Sequence, residues 1–353
     1  MKKIFIVLVA ILFSLSLANA CTSFGMITND GTIIGKNRDF YYGPQHVGVF
    51  TPKPRFFKAF LNKYSHKNLF YALEYKDGIS MGVNQHGLTA IQEDFTPPHK
   101  PAKQRRFKEP LNGLRDSNLL YAVLQNFNSI EEMIPYINNI FKKSAPGFYQ
   151  FADAHKILTV EVAFAANNKA PNRQFTYNIL SKKGEYFTHT NSYLSPKFTH
   201  LNQGDQQNFI SSNNRLKTIT NLISNTKNVT IKNASAWFSL TRSNVSEKNK
   251  NGSCFNSSIF RSYIKGAKSV NLKQQSTKIY GTMSSMIVHN NKDLATSKLY
   301  LKLISGISTD QFGRQHIKYQ SLYTNLKDLF SAKKLIFNNH KFTRMPPKNG
   351  VCT

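Results

Sequence analysis

Cysteine is scarce in this chain, with three in 353 residues: Cys21, Cys254 and Cys352. So few exclude a disulfide-dense scaffold, and neither a Cys-x-x-Cys pair nor a zinc-ligand spacing occurs. Acidic residues are also short, 18 against 47 basic ones, and tryptophan appears once. Beyond the first twenty residues no apolar run approaches the roughly 20 residues that a membrane-spanning helix needs. Zinc-finger spacing, an aromatic RNA-binding signature and a recognition helix are missing too, which disfavours nucleic acid as a partner despite the positive charge.

What is present begins at the N-terminus. Lys2 and Lys3, an apolar run from Ile4 to about Leu17 and the small residues Ala18-Asn19-Ala20 read as a secretory signal peptide over 1–20. Cleavage after Ala20 would make Cys21 the first residue of the mature protein, and the expected location is periplasmic or secreted. A lipoprotein is the competing reading, since lipidation also uses a cysteine after the cut. That processing prefers a larger aliphatic residue where Ala18 stands.

The remainder, 21–353, is long enough for a large core and shows no clear linker or repeat, so one domain is expected. The net charge of +29 becomes +27 once Lys2 and Lys3 are lost. A field of that sign favours anionic partners, either an anionic substrate or an anionic membrane surface. Oligomeric state is left open, a homo-oligomer included. Cys254 and Cys352 either pair in an oxidising compartment or remain two free thiols; the sequence fits both.

Along the chain, strands are predicted over Thr22 to Thr28 and Thr32 to Phe40 around an Asn29-Asp30-Gly31 turn. Further strands follow at Leu69 to Tyr75, Ile79 to Val83, Leu88 to Phe95, Phe148 to Ala152 and Ile157 to Ala165, with another ending at Phe187 to Asn191. This succession of hairpins argues for antiparallel sheet. Residues 96–110 alternate prolines with Lys100, Lys103, Arg105, Arg106 and Lys108, a basic loop that is either a solvated excursion or a flap over the site. Helices are expected over Ser117 to Asn126, Ser129 to Phe141, Arg215 to Ser224 (opened by Ser211 to Asn214) and Leu322 to Leu335. A late hairpin is expected from Tyr280 to Ile304 and a basic tail from about 336. Residues 225 to 278 give no firm elements.

The chemistry gathers at Cys21. An N-terminal cysteine carries a thiol and, in its own α-amine, a base with a pKa of about 7.7 to 8.0. No separate histidine is needed, and the ten histidines form no Cys/His/Asn arrangement. His86 and His189 are therefore set aside as bases, on the expectation that turn polarity and strand-end exposure account for them. The Asn29 turn brings Gly35-Lys36-Asn37-Arg38-Asp39-Phe40 back beside Cys21. Asp39 can orient the α-amine there, and Lys36 or Arg38 can favour the thiolate.

Cys-Thr-Ser at 21–23, Gly-Lys-Asn-Arg-Asp-Phe at 35–40, Asn-Gln-His-Gly-Leu at 84–88 and Thr-Asn-Ser at 190–192 resemble the choloylglycine hydrolase and penicillin V acylase family. These are linear amide C–N hydrolases of the N-terminal nucleophile superfamily. The resemblance implies an α+β fold, a four-layer αββα sandwich of two antiparallel sheets between helices. It implies an N-acyl amide substrate and a thioester on Cys21, with no metal or organic cofactor. Residue by residue, the family's amine-holding aspartate falls on Asp39 and its oxyanion asparagine on Asn191. Near Asp94 the family usually has an asparagine whose backbone N–H completes the oxyanion hole, a role an aspartate can serve because only the backbone is used, and a supporting arginine falls on Arg215. The family's arginine near the nucleophile aligns with Lys36, while Arg38 stands two residues on; either can fill the role. Acyl transfer through the same thioester, or a lipid-anchored envelope-binding protein modified at Cys21, are the alternatives.

Overall fold

The computed structural model describes residues 21–41, 45–50, 68–75, 78–94, 116–163, 172–202, 206–239, 280–309, 311, 315–332 and 336–340. Residues 1–20, expected to be a signal peptide, the basic loop at 96–110, Cys254 and Cys352 lie outside the described residues.

The first hairpin forms as its turn signal dictates. Strands β1 (Thr22–Ile27) and β2 (Gly31–Tyr41) pair antiparallel, with Thr22 opposite Asn37 and Ser23 opposite Lys36. Strand β10 (Tyr186–His189) pairs with the other edge of β1, and β11 (Tyr280–Asn291), β12 (Lys298–Thr309) and β13 (Gln315–Asn325) extend the sheet beyond β2. The order β10-β1-β2-β11-β12-β13 puts β1 and β2, distant in sequence from the other strands, in the interior of a six-stranded sheet.

The second sheet has seven strands in chain order: β3 (Gln45–Phe50), β4 (Phe70–Tyr75), β5 (Gly78–Asn84), β6 (Thr89–Glu93), β7 (Gly147–Ala152), β8 (Ile157–Val162) and β9 (Phe175–Leu180). Every pairing in both sheets is antiparallel.

Strand alternation sorts the apolar residues into three layers. Ile34, Met286, Val288, Leu299 and Leu301 of the first sheet meet Tyr71, Leu73, Met81, Val83 and Ile91 of the second, forming the core between the sheets. Their neighbours one residue away point outward. Phe70, Ala72, Tyr149 and Phe151 pack under α1 (Asp116–Asn126) through Leu120, Val123 and Leu124. Phe24, Ile33 and Ile287 pack under α4 (Gln206–Ser224) and α5 (Ile231–Trp237) through Ile219, Ile223 and Trp237. Helix, sheet, sheet, helix is the αββα sandwich that the resemblance implied.

Several elements differ from the sequence expectation. The predicted helix at 129–141 is three short pieces, α2 (Ile130–Met133), a 3-10 turn at Ile134–Tyr136 and α3 (Ile137–Phe141), because Pro135 has no N–H to donate within a continuous helix. Helix α4 starts at Gln206, well before the polar stretch expected to open it. Ser212 lies inside it, held by hydrogen bonds to Thr190, Asn191 and Ser192 that offset its weak helix preference. The predicted late helix at 322–335 starts later: β13 runs to Asn325, and α6 (Leu326–Ser331) is the helical part, opened by the Asn325 side chain accepting from Asp328 N. Among residues 225–278, α5 is capped by Thr230 and Asn233.

Candidate active site

The turn at Asn29 and the register of β1 and β2 place Cys21 just before the first paired residue, with the β2 segment Lys36 to Asp39 alongside. On the opposite edge, Ser23 pairs with His189, so continuing that register brings Asn191 level with Cys21. Helix α4 then lays Arg215 over the strand ends. Cys21 is buried at 3% exposure.

One chain of hydrogen bonds ties these residues together. The guanidinium of Arg215 is itself buried; Nη1 donates to the Cys21 carbonyl oxygen and, at 2.8 Å, to Thr22 Oγ1. Its Nη2 donates to Asn191 Oδ1 at 2.9 Å. Asn191 Nδ2 in turn donates to the Asp94 carbonyl oxygen at 2.6 Å, and Gln92 Nε2 donates to Asp94 Oδ1 at 2.8 Å. Lys36 Nζ extends the path by donating to the Gln92 carbonyl oxygen, across from the other sheet. Residues from β1, β2, β6, α4 and the segment after β10 thus meet at one point. A planar five-donor group suits the Arg215 position, where three acceptors lie around one buried side chain.

Lys36 and Arg38 differ in setting. Lys36 is buried on the face of β2 that meets the second sheet, whereas Arg38 is half-buried. Lys36 is a cation that pulls the Cys21 thiol pKa down. Asp39 is on the other face of β2, fully buried, with Oδ1 accepting from Thr282 Oγ1 at 2.6 Å beside an irregularity in β11 between Thr282 and Ser284.

Burial pushes the Cys21 thiol up to about 11; Lys36 pulls it down, and Glu93, Asp94 and Asp39 push it further up. A thiol raised that far is protonated at pH 7. For such a thiol to attack a carbonyl, its proton must pass to a base within reach. The arrangement can therefore perform acyl chemistry if an amine at Cys21 accepts that proton. Asn191 Nδ2 has a second N–H beyond the one given to Asp94, a donor available to a developing oxyanion.

The concentration of buried charge is itself unusual. Lys36, Asp39, Glu93, His189 and Arg215 are all buried around Cys21 in a chain where ionisable groups are otherwise mostly outside. Among the described residues no group of three or more His, Cys, Asp or Glu side chains could hold a metal ion.

Residues 26–271, more than half of the chain, match the model of the acyl-coenzyme A:6-aminopenicillanic acid acyl-transferase family. The chain belongs to this family. Membership bears out the resemblance drawn from the motifs at 21–23, 35–40, 84–88 and 190–192, and makes the chain an enzyme of the amide hydrolase and acyltransferase class. Among solved structures, two variants of the conjugated bile acid hydrolase from Clostridium perfringens are similar at 14% and 13% identity. Each covers 94% of this chain and 100% of its own, with a TM-score of 0.42. No curated protein matches the sequence.

All seven residues expected at the site of this family member, Cys21, Lys36, Arg38, Asp39, Asp94, Asn191 and Arg215, lie on or beside the elements that converge at Cys21. Sequence reasoning missed His189. It is buried, not exposed at a strand end, with Nδ1 3.1 Å from Glu93 Oε2 and Nε2 3.2 Å from Glu161 Oε1. Burial lowers its pKa, but hydrogen bonds to Glu161 and Glu93 more than offset this and hold it up at about 9. Gln92, Thr22 and Ser212 were also unforeseen. Glu93 stands beside Asp94 in sequence, the one local signal for it.

Proposed function

We propose that the chain is an exported N-terminal cysteine amidohydrolase that cleaves a linear N-acyl amide through a thioester on Cys21. The observation that carries this reading is the hydrogen-bonded path from the Cys21 carbonyl through Arg215 and Asn191 to Asp94. It fixes an amide donor level with the thiol.

In this mechanism the α-amine freed at Cys21 takes the Sγ proton as sulfur attacks the substrate carbonyl carbon. The oxyanion that forms accepts from Asn191 Nδ2 and from the backbone N–H of Asp94. Asp39 orients the α-amine, and Lys36 lowers the cost of thiolate character at Sγ. Collapse of the tetrahedral intermediate breaks the C–N bond, and the α-ammonium returns the proton to the leaving amine. Water, deprotonated by the same amine, then cleaves the thioester to give the carboxylic acid and the free thiol.

The family's description favours one variant, in which an acceptor amine or alcohol takes the acyl group in place of water. Product analysis with added acceptors separates the two. A lipid anchor at Cys21 is supported less well, because a diacylated cysteine has no place in a site where Cys21 is 3% exposed.

The excess of positive charge, 47 basic against 18 acidic residues, supports an anionic substrate or docking on an anionic membrane. Neutralising Lys103, Arg105, Arg106 and Lys108 together should raise KM in a salt-sensitive manner; an unchanged KM removes the loop from substrate capture. The test of the main reading is Cys21→Ser. It should abolish turnover of N-acyl amides in a protein that still unfolds cooperatively, and retained turnover overturns the reading.

A further inference from the structure

Behind the nucleophile lies a buried group that this mechanism does not use. The register of Ser23 with His189 sets the imidazole beside β1, two residues from Cys21. The ring packs against Phe148, with centroids 4.2 Å apart. Nδ1 is 2.6 Å from the Thr190 carbonyl oxygen and 3.1 Å from Glu93 Oε2, and Nε2 is 3.2 Å from Glu161 Oε1. Each ring nitrogen therefore faces an acceptor that cannot donate when ionised. Only the doubly protonated ring donates on both sides; a neutral ring would aim a lone pair at a carboxylate.

The two carboxylates have different second duties. Glu161 accepts from Leu194 N at 2.8 Å through Oε1 and from Ser195 N at 3.1 Å through Oε2, so it ties down the far end of the turn that carries Asn191. Glu93 is fully buried, accepts from Gln150 Nε2 at 3.5 Å, and its Oε1 has no hydrogen-bond partner among the described residues. It is also the first of the carboxylates that oppose ionisation of Cys21. His189 begins the Asn191 turn, Glu161 holds its end, and Glu93 connects the pair electrostatically to the thiol.

We propose that His189 is a positioning residue, an imidazolium that compensates the Glu93 carboxylate beside Cys21 and, with Glu161, fixes both ends of the turn presenting Asn191. This inference rests on reading Cys21 as the nucleophile. The charged groups facing the ring are Glu93 from β6 and Glu161 from β8. Loss of the imidazolium leaves Glu93 uncompensated, so the thiolate becomes harder to form and the oxyanion donor less well held.

The test reads the thiol directly. The pH dependence of iodoacetamide alkylation is followed on the Cys21 peptide by mass spectrometry, so that Cys254 and Cys352 do not contribute, alongside kcat and KM on an N-acyl amide. His189→Gln should move the alkylation profile to higher pH, slowing the reaction at pH 7 by about tenfold for each unit moved, and should lower kcat while KM stays within about twofold. Glu93→Gln in the His189→Gln background should return the alkylation profile toward wild type. An unmoved profile in His189→Gln, or no recovery in the double variant, overturns the proposal. Should His189→Gln not fold, Glu93→Gln alone decides: the profile should move to lower pH, and no movement or the opposite movement overturns it. Alkylation reports the thiol whether or not Cys21→Ser abolishes turnover, so failure of this inference is distinguishable from failure of the nucleophile reading.

Discussion

Arg215 Nη2 donates to Asn191 Oδ1 at 2.9 Å, and that contact fixes which way the Asn191 amide points. With the oxygen held by a guanidinium, Nδ2 is committed to the donor side, where it meets the Asp94 carbonyl. Arg215 thus orients the Asn191 amide while also bracing the Cys21 carbonyl. Arg215→Lys should lower kcat/KM by about tenfold or more, since one ammonium cannot serve acceptors on three residues in a planar fork. Arg215→Met, which leaves those acceptors buried and unmatched, should also lower the unfolding free energy by roughly 3 kcal/mol. Kinetics and urea unfolding check both, and a wild-type Arg215→Lys would show that the fork is dispensable.

Asn191→Ala should reduce kcat by about 10²- to 10³-fold, the usual cost of one oxyanion donor. Because the donor acts on charge formed in the transition state, KM should move little. A loss confined to KM would assign Asn191 to ground-state binding instead.

Lys36 and Arg38 separate by burial. Lys36→Met removes the cation that lowers the Cys21 thiol pKa, so ionisation should move to still higher pH and alkylation of Cys21 at pH 7 should slow by about tenfold or more. Arg38→Met, at a half-buried position on the same strand face, should have the smaller effect. The opposite ranking would return the supporting role to Arg38.

The first hairpin and the whole of its charged strand were legible from local chemistry. Asn29-Asp30-Gly31 closes the turn, and alternation along β2 sends Lys36 to one face and Asp39 to the other. Asn191, Asp94 and Arg215 were reached only through motif resemblance, because their meeting depends on β10 pairing with β1 and on α4 crossing above. The strands left unread, β3, β9 and β13, are all sheet edges: β3 and β9 of the seven-stranded sheet, β13 of the six-stranded one. In β9 the half-solvated pattern, with Tyr177 exposed, carries little of the apolar signal that marks a strand. The start of α4 was misread because Ser212 looks like a cap, whereas its hydroxyl is used three times by the Asn191 turn. His189 was discounted for a related reason: a polar strand end reads as solvated unless Glu93 and Glu161 are known to lie against it.

Those two glutamates also set a pH dependence of stability. His189 is raised in the folded state to about 9 from an ordinary 6.5. A raised histidine stabilises fully below the unfolded value and loses that contribution as pH rises through the folded one. Stability from this group should therefore be greatest below about pH 6.5 and fall by up to roughly 3 kcal/mol as pH passes 9. Urea midpoints at pH 6 and pH 9.5 measure it, and His189→Gln should flatten the difference. A wild-type stability that rises across this window would contradict the buried imidazolium.

Gly35 lies where a side chain has no room. A Cβ there would sit 2.8 Å from Phe238 and 3.0 Å from Phe24, in the packing that supports β2 next to the site. Gly35→Ala should cost about 1–3 kcal/mol by overpacking, read as a lower thermal midpoint, while a neutral result would mean the rings can shift.

The central claim is that Cys21 carries the acyl group. Rapid acid quench of the protein with a slowly turned-over N-acyl amide, followed by intact-mass and peptide analysis, tests it most directly. The account predicts a chain beginning at Cys21 whose mass rises by the acyl group less one hydrogen, with the adduct on the Cys21 sulfur and labile to hydroxylamine. Turnover without any adduct at Cys21, or a Cys21 whose amine is already blocked by acyl groups, would contradict it.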